Sequence, residues 1–463
     1  MADLTRRSML GLASAAAVGT GLSWRRLTGA DVPGRGDDAL TIAILGTAQD
    51  AAARQQLVDA FRERHPGIPV RIQAVQGQDW TQFFTKILTM VAAGTPPDVC
   101  VVATEGAQLF ADRLAEPLDR FVTRDADEVG DYFADVHPAL VESFMYEGNL
   151  FMLPVDFNAA NVYYSAAAFE RAGVGRPADD WTHADFLDVC RRTRDAAPGA
   201  FRPFFWTNRL WGGVVPWLYS NGTSVLAESK APGGDWLWDR FYAGDARAAG
   251  RSGGYRWTAA TAEDPAVVDT FEFLRDMTAE GLGSSPAQGG GNELVARFAQ
   301  GVIGMTPAGG FWVNGLAEAG MGPDDYDVTY FPRGTTQRHQ FGAAGYAVLR
   351  TSRRKDEAWE WIKFCASAEG MRLSFPRPDT TPVRRSLVDA AFYADTGPRN
   401  WQVFHETLER FPDTGPIPAP PQQAAVEAAL VKNVVGAVTA RPGGVAPALA
   451  TMQRDLELAL RSR

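Results

Sequence analysis

The chain has 463 residues, of which 46% are hydrophobic and 22% are charged, and its formal net charge at pH 7 is −10. This length and composition predict a globular protein with two or three domains and a large core. The negative charge argues against nucleic acid as a partner, because phosphate binding needs concentrated lysine and arginine.

The N-terminal segment predicts export. Arg6 and Arg7 precede an apolar stretch, Met9–Leu22, which is too short and too rich in small residues for a good transmembrane helix. Paired arginines before such a stretch are similar to a twin-arginine export signal. We therefore expect residues 1–37 to be an export signal and tether of an extracytoplasmic protein. Two further arginines leave open whether the leader is cleaved or kept as an anchor. No cysteine precedes Cys100, so we expect no lipoprotein.

The next segment predicts a parallel sheet with alternating helices. Apolar runs at Leu40–Leu45, Val70–Val75 and Val99–Val102 are typical of strands. Helical periodicity separates them, from Asp50, a candidate helix cap, to Arg64 and again from Trp80 to Val91. This β-α-β-α-β order indicates the opening of an α/β domain.

Polar residues follow the first and third of these strands. Gly94 and the two prolines after it predict a tight turn on the opposite face, which leads directly into the third strand. Ligands of parallel sheets lie beyond the carboxyl ends of the strands. Gln49 and Asp50, together with Glu105, are therefore expected to line one edge of a site.

The rest of the chain continues as an α/β protein. Thr182 is a plausible N-cap of a helix, and residues 201–257 are rich in aromatic residues and glycine with weak periodicity. A clear amphipathic helix is predicted over Pro265–Glu280, and two more helices begin near Pro421 and Pro447.

Nothing in the spacing of cysteine or histidine predicts a metal site or a catalytic base. The three cysteines lie far apart in apolar or helical surroundings, so buried free thiols are expected, although a disulfide between two of them stays open. The five histidines are scattered, and each fits a surface or loop position better than the role of a base.

Several segments together resemble a known family. In chain order they are FRERHPGIPV, KILTMVAAGTPPDV, LFMLPVDFNAANVYYSAAAFERAGV, DDWTHADF, FAQGVIGMTPAGGFW, FGAAGYAVLRTSRRKDEAWEWIKFCASAEG and a closing pair of helices. Their order resembles the extracytoplasmic solute-binding proteins of ABC importers, in particular the sugar-binding family that includes the maltose- and glycerol-phosphate-binding proteins. The likeness covers nearly all of residues 38–463.

The resemblance implies an α/β fold of two lobes that are joined by crossing strands and close on a ligand by hinge bending. It implies lobe 1 at 38–157 with part of about 341–385, lobe 2 at 158–340, and C-terminal helices at 386–463 that pack mainly on lobe 2. The implied function is capture of a sugar or sugar derivative between the lobes and its delivery to the transmembrane subunits of an ABC permease. A monomer with no cofactor, no metal and no catalytic residues is expected.

A sugar site needs aromatic rings for the apolar C–H faces and carboxylates, amides or arginines for the hydroxyl groups. Asp156 and Asn158 alternate with Phe157 on the implied crossing strand, so both side chains can face a ligand, and a solvated strand edge is the alternative. The candidate ligand contacts are Gln49, Asp50, Trp80, Glu105, Asp156, Asn158, Trp206, Asn208, Trp211, Gly310, Phe311, Trp312, Tyr346, Arg377 and Arg384.

The preferred stacking residues come from two aromatic segments. Trp206 and Trp211 flank Asn208 in a glycine-rich context. The family has an aromatic ring after a glycine-rich turn, and Trp312 is the first choice there, with the backbone amide of Gly310 as a hydrogen-bond donor.

A second class of ligand stays open. A glycerophosphodiester or another phosphorylated polyol is the second candidate, and Arg209, Arg377 or Arg384 in the cleft would favour it. Gln422 and Gln423 stand where some relatives have another stacking ring, which favours a small or substituted sugar over a long oligosaccharide.

A glycoside hydrolase is the third functional hypothesis. Glu105 and Asp156 would be the two carboxylates that such an enzyme needs. None of the usual nucleophile, metalloprotease or phosphate-loop motifs occurs in the chain, so a binding protein is favoured.

Overall fold

The computed structural model describes residues 39–462, except 198, 285, 287–290 and 394–395. The predicted leader at residues 1–37 lies outside the described residues. The strands are β1 (Leu40–Leu45), β2 (Val70–Val75), β3 (Val99–Ala103), β4 (Met145–Tyr146), β5 (Asn149–Leu150), β6 (Leu153–Ala159), β7 (Asn161–Ser165), β8 (Arg202–Phe204), β9 (Leu226–Lys230), β10 (Tyr255–Ala260), β11 (Ile303–Ala308), β12 (Tyr326–Thr329), β13 (Gln340–Val348), β14 (Thr381–Pro382) and β15 (Gly415–Pro416).

The α-helices alternate with these strands and also form most of the C-terminal part. They are α1 (Ala48–Ala53), α2 (Gln55–Arg64), α3 (Trp80–Ala92), α4 (Thr104–Arg113), α5 (Asp119–Arg124), α6 (Gly130–Asp135), α7 (Pro138–Glu142), α8 (Ala166–Arg171), α9 (His183–Asp195), α10 (Val215–Ser220), α11 (Asp235–Phe241), α12 (Pro265–Ala279), α13 (Gly291–Ala299), α14 (Trp312–Glu318), α15 (Lys355–Ala366), α16 (Ala368–Ser374), α17 (Ala390–Tyr393), α18 (Val403–Arg410), α19 (Gln423–Val438) and α20 (Val445–Leu460). Along the described residues, no helix has both the length and the apolar character that a membrane crossing needs.

The predicted β-α-β-α-β opening is confirmed, with one correction. Strand β1 pairs in parallel with both β2 and β3, and Gly94 has the left-handed φ of +73° that ends α3. The helix predicted from Asp50 to Arg64 is interrupted at Arg54, and Thr47 is its N-cap. Asp50 instead completes a capping box, because its carboxylate accepts hydrogen bonds from the Thr47 backbone N–H at 2.7 Å and from its hydroxyl at 2.8 Å.

Two sheets organise two lobes. Lobe 1 surrounds a seven-stranded sheet in the order β14-β6-β13-β3-β1-β2, with β15 also paired to β13. This sheet is mixed, since β13 runs antiparallel to both β3 and β6. Lobe 2 surrounds a four-stranded sheet in the order β12-β7-β11-β8. The chain passes from lobe 1 to lobe 2 between β6 and β7, and returns between β12 and β13.

Each lobe has its own hydrophobic core. In lobe 1, helix α15 places Trp359 and Trp361 in the cluster that contains the buried residues of β1, β3 and β13. In lobe 2, Trp217 of α10 lies in a cluster that also takes Leu430 of α19 and Leu449 of α20. Thr182 caps α9 as the sequence predicts.

Strands β9 and β10 are connected by a long segment, residues 231–254, which we call the 231–254 excursion. It extends away from lobe 2 and packs on lobe 1. Phe241 at the end of α11 stacks on Phe133 with ring centroids 4.1 Å apart, and the Tyr242 hydroxyl donates to the Val136 carbonyl at 3.0 Å. The backbones come so close here that a Cβ on Gly253 would lie 2.7 Å from the Gly148 backbone nitrogen of lobe 1, so only glycine fits.

All three cysteines and three of the five histidines are buried in the structure. All three cysteines are free and buried, which confirms the prediction of free thiols. The histidine prediction is wrong for His137, His339 and His405, which are buried. Burial lowers the pKa of each of these three imidazoles to about 3, so they are neutral at pH 7. In the described segments, no group of His, Cys, Asp or Glu side chains is arranged to hold a metal ion.

Candidate ligand-binding site

A cavity of about 390 Å³ lies between the two lobes. Lobe 1 provides residues from the ends of β1 and β3, the start of α3, and strands β6 and β13. Lobe 2 provides Arg209, Trp211 and Phe311, and helix α19 closes one side with Glu427. The lining residues are Leu45, Gln78, Asp79, Trp80, Thr81, Glu105, Asp156, Asn158, Arg209, Trp211, Phe311, Gly342, Ala343, Ala344, Asp379, Thr380 and Glu427.

Asp156 and Asn158 line the cavity from β6, because alternate residues of a strand share one face. The Asp156 carboxylate accepts a hydrogen bond from the Ala344 N–H at 3.0 Å. Burial raises the pKa of this carboxyl to about 6. The Asn158 amide donates to the Thr380 hydroxyl at 2.9 Å and accepts from the Phe311 N–H at 3.2 Å. Asn158 therefore joins the floor of lobe 1 to the wall of lobe 2.

Glu105 enters the cavity from the first turn of α4, directly after β3. Burial raises the pKa of its carboxyl to about 7, and the nearby Glu427 carboxylate acts in the same direction. The Arg209 guanidinium opposes both effects. The Thr104 hydroxyl lies 3.4 Å from the Glu105 carboxylate and accepts the Ala343 N–H at 3.3 Å.

An aromatic wall faces these carboxylates. The Trp211 and Phe311 rings meet edge to face with centroids 5.1 Å apart. The Arg209 guanidinium lies 5.5 Å from the Trp211 ring centroid, in cation–π range. The indole also needs a glycine beneath it, since a Cβ on Gly342 would lie 2.7 Å from the indole nitrogen Nε1. Rings and carboxylates thus face one another across a space of ligand size.

A second polar contact across the cleft joins α3 to α19. The Thr81 hydroxyl of α3 donates to the Glu427 carboxylate at 2.9 Å. The Gln423 amide donates to the same Glu427 oxygen at 2.7 Å and to the Thr81 hydroxyl at 3.2 Å. Beside it, Asp79 caps α3 by accepting the Gln82 N–H at 2.8 Å.

The structure brings part of the predicted set together at this cavity. The predicted residues that line it are Trp80, Glu105, Asp156, Asn158, Trp211 and Phe311. Among the lining residues that the prediction left out, Asp379 and Thr380 come from the segment in which Arg377 and Arg384 were chosen. Glu427 lies one helical turn after Gln423, which was considered only as a substitute for an aromatic ring.

Three predicted aromatic residues lie in the core instead. Trp312 is 2% exposed and packs against Tyr163 and Phe298, with centroids 5.5 and 5.8 Å away. Trp206 is fully buried, and its indole N–H donates to the Ser284 carbonyl at 3.0 Å. Tyr346 is buried with its ring edge on Trp361, in the core of lobe 1. None of these rings lines the cavity.

The predicted arginines also lie elsewhere. Arg384 is buried, where its Nε donates to the Ala366 carbonyl at 2.7 Å and its Nη2 pairs with Asp131 at 3.0 Å. Arg377 is exposed on the surface, 4.0 Å from the Asp379 carboxylate. Arg209, which was named only as an indicator of a phosphodiester ligand, is the arginine that lines the cavity.

The remaining predicted contacts have structural partners. The Asn208 amide donates to the Val431 carbonyl of α19 at 2.8 Å. Gly310 packs so closely that a Cβ would lie 2.5 Å from the Thr381 hydroxyl oxygen. Gln49 and Asp50 lie in the first turn of α1, outside the lining residues, and the Asp50 carboxylate is engaged in the capping box.

Comparisons with known proteins identify a matching family and a relative of this chain. The family model of bacterial extracellular solute-binding proteins matches residues 46–372. Among curated proteins, a binding protein of Brucella abortus strain 2308 is 24% identical over 348 residues, which span 74% of this chain and 75% of the relative.

Two solved structures share the fold. An ABC substrate-binding protein from Listeria monocytogenes, in complex with cycloalternan, superposes with a TM-score of 0.72 at 18% identity, covering 92% of this chain and 99% of that one. The UgpB protein of Mycobacterium tuberculosis, in complex with glycerophosphocholine, has a TM-score of 0.70 at 19% identity over 92% and 99% of the two chains. At this level of identity the likeness establishes the two-lobe fold.

Proposed function

Because the chain belongs to the bacterial extracellular solute-binding protein family, we propose that its solute is a sugar or sugar derivative that it delivers to the transmembrane subunits of an ABC permease. One observation carries this proposal: the interlobe cavity combines the rings of Trp80, Trp211 and Phe311 with carboxylates and the Asn158 amide. Rings match the C–H faces of a sugar, and carboxylates accept hydrogen bonds from its hydroxyl groups. The volume suits a mono- or disaccharide.

A thermal-shift panel of neutral sugars, sugar derivatives and glycerophosphocholine tests the ligand class. We expect at least one sugar or sugar derivative to raise the Tm by a few °C, because ligand at 100 times its Kd adds about 2.7 kcal/mol of stability. A response to glycerophosphocholine alone would contradict the sugar. Turnover of a chromogenic glycoside, with Glu105 and Asp156 as its two carboxylates, would contradict the proposal that the protein is a binder without catalysis.

A glycerophosphodiester is the second candidate. It is favoured by Arg209, whose Nε is buried without a hydrogen-bond partner among the described residues and whose guanidinium can receive a phosphate. The glycerophosphocholine complex of the UgpB protein, which shares the fold, points the same way. Against it, the Glu105 and Glu427 carboxylates already act on this guanidinium.

We expect Asp156→Asn to raise the Kd for the solute by about 10- to 100-fold, since a hydrogen bond to a charged group contributes about 1.5–3 kcal/mol. The asparagine keeps an acceptor for the Ala344 N–H, so the fold should persist. Isothermal titration calorimetry measures the change, and Asp188→Asn, on the exposed side of α9, is the control. Equal Kd values for the two variants would remove Asp156 from the site.

Closure of the lobes is the proposed capture step. We propose that 38–157 with about 341–385 moves as one body, that 158–340 moves as the other, and that 386–463 moves mainly with the second. Small-angle scattering should show a smaller radius of gyration once a stabilising ligand is bound. Tryptophan fluorescence should change as well, and less so in Trp211→Phe. Binding without any change in the scattering profile would contradict hinge closure.

The family places the protein outside the cytoplasm. We further propose that it leaves the cytoplasm by the twin-arginine route, as a monomer that is not a lipoprotein. Replacing both Arg6 and Arg7 with lysine should leave the protein inside the cell in a fractionation experiment. Export that continues unchanged in this variant would contradict the twin-arginine route.

A further inference from the structure

The cavity lining contains more acidic than basic residues. Its lining contains a single guanidinium, that of Arg209, among the acidic residues Asp79, Glu105, Asp156, Asp379 and Glu427. A neutral sugar can use carboxylates as acceptors, but it cannot neutralise them. The arrangement of these charges therefore bears on the ligand.

Arg209 is engaged on one side of the cavity. Its guanidinium lies 5.5 Å from the Trp211 ring centroid and interacts electrostatically with Glu105 and with Glu427. These two carboxylates thus share one cation. Asp79, at the rim, is held by the positive end of α3, whose N–H groups it caps.

Asp156 and Asp379 form the other acidic side, away from Arg209. Strand β14 pairs with β6 so that Pro382 is opposite Asp156, and the Asn158 amide donates to the Thr380 hydroxyl at 2.9 Å. Asp379, the residue before Thr380, lines the same cavity from the segment that leads into β14.

The basic side chains near Asp156 and Asp379 are distant or exposed to solvent. Across the described residues, no basic side chain lies within 4.0 Å of the Asp156 carboxylate, and Arg54 acts on it only at longer range without lining the cavity. Asp379 has Arg377 at 4.0 Å, but that side chain is 62% exposed, so water screens the pair. Arg54 acts electrostatically on Asp379 as well, again without lining the cavity. Burial raises the pKa of both carboxyls, so a positive charge placed beside them would stabilise their ionised form.

We propose that the solute carries a positively charged amino group, as an amino sugar does, and that Asp156 and Asp379 hold this ammonium while the sugar ring stacks on the aromatic wall. The inference rests on the proposed sugar-binding function and narrows its ligand class. An ammonium supplies both the missing charge and N–H donors for two carboxylates.

Isothermal titration calorimetry on residues 38–463 tests this inference by comparing the affinities of matched ligand pairs. The pairs are glucose and glucosamine, galactose and galactosamine, mannose and mannosamine, and cellobiose and its diamino analogue chitobiose. We expect at least one amine to bind 10-fold or more tightly than its hydroxyl counterpart. The neutral N-acetyl form of that amine should lose the gain.

The variant Asp379→Asn separates a charge effect from a fold effect. We expect it to lower the amine-to-hydroxyl affinity ratio at least 5-fold, while the Tm of the ligand-free protein stays unchanged. An unchanged ratio would overturn the assignment of Asp379.

The outcomes for the two proposals differ. Neutral sugars that bind as tightly as their amines would overturn the ammonium inference and leave the sugar-binding function standing. No binding by either member of any pair, with binding of glycerophosphocholine, would overturn both in favour of the second candidate ligand. No binding of any compound in the set would count against both.

Discussion

Replacing Trp312 with alanine is expected to lower the free energy of unfolding by about 3–5 kcal/mol, which is the usual loss for a large aromatic side chain removed from a core. The ring is 2% exposed and packs between Tyr163 and Phe298. Filling the space would require a shift of β7 or α13, which carry these two rings. The loss should therefore appear in the ligand-free protein.

The adjacent residue, Phe311, is expected to behave in the opposite way. It is half-buried, lines the cavity and meets Trp211 edge to face. Phe311→Ala should raise the Kd for the solute about 10-fold, because an aromatic contact contributes about 0.5–1.5 kcal/mol beyond its buried area. Its effect on unfolding should stay below about 1.5 kcal/mol.

Urea denaturation and calorimetry on the same two variants make the comparison. Trp312→Phe, which keeps an aromatic ring in the core, is the matched control and should recover most of the lost stability. If Trp312→Ala unfolds like the parent chain and loses only ligand affinity, the ring belongs to the site and the placement in the core is wrong.

This contrast shows which features the sequence could predict. Apolar runs and helical periodicity were sufficient for β1, β2, β3 and α3, because burial on both faces of a parallel strand leaves a local signature. Helix caps are harder, since Thr47 and Asp50 are both good cap residues and only the backbone geometry decides between them. The helix break at Arg54 could not be predicted, because no glycine or proline lies there.

The site follows the same rule. Asp156 and Asn158 could be predicted to lie together because strand alternation is a local property. Whether an indole faces a cavity or a core depends on the residues packed around it, and Trp206 and Trp211 look alike in sequence. Only the tertiary structure separates them.

Residues that reach the cavity from distant segments had the weakest signals. Glu427 lies on α19, and its contact with Thr81 spans 346 residues of sequence. Asp379 lies two residues after Arg377, which the sequence favoured as a ligand contact. The residue type alone does not show whether a charged side chain lies at the surface or in a site, because the difference is its burial in the folded protein.

The second large effect is expected at Glu142, which is fully buried where the 231–254 excursion meets lobe 1. Its carboxylate accepts hydrogen bonds from the Lys230 ammonium at 2.7 Å, the Arg251 guanidinium at 2.9 Å and the Ser252 N–H at 2.9 Å. Glu142→Ala should lower the free energy of unfolding by about 3–5 kcal/mol, because removing one partner leaves buried charges without compensation.

Glu147→Ala is the matched control for this measurement. Glu147 forms an ion pair with Arg256 in the same region, but the two side chains are 42% and 36% exposed. An exposed pair contributes about 0–1 kcal/mol. Urea denaturation of the two variants thus compares a buried with an exposed carboxylate at one interface.

The location of the loss matters as much as its size. The Arg251 side chain is only 8% exposed, so without Glu142 it gains hydration most easily if the excursion lifts from lobe 1. Hydrogen exchange should then rise first in residues 231–254 of Glu142→Ala and stay unchanged in β1 and β3. A uniform rise across the chain, or a loss below about 1 kcal/mol, would mean that the aromatic contacts of Phe241 and Tyr242, rather than the buried carboxylate, hold the excursion in place.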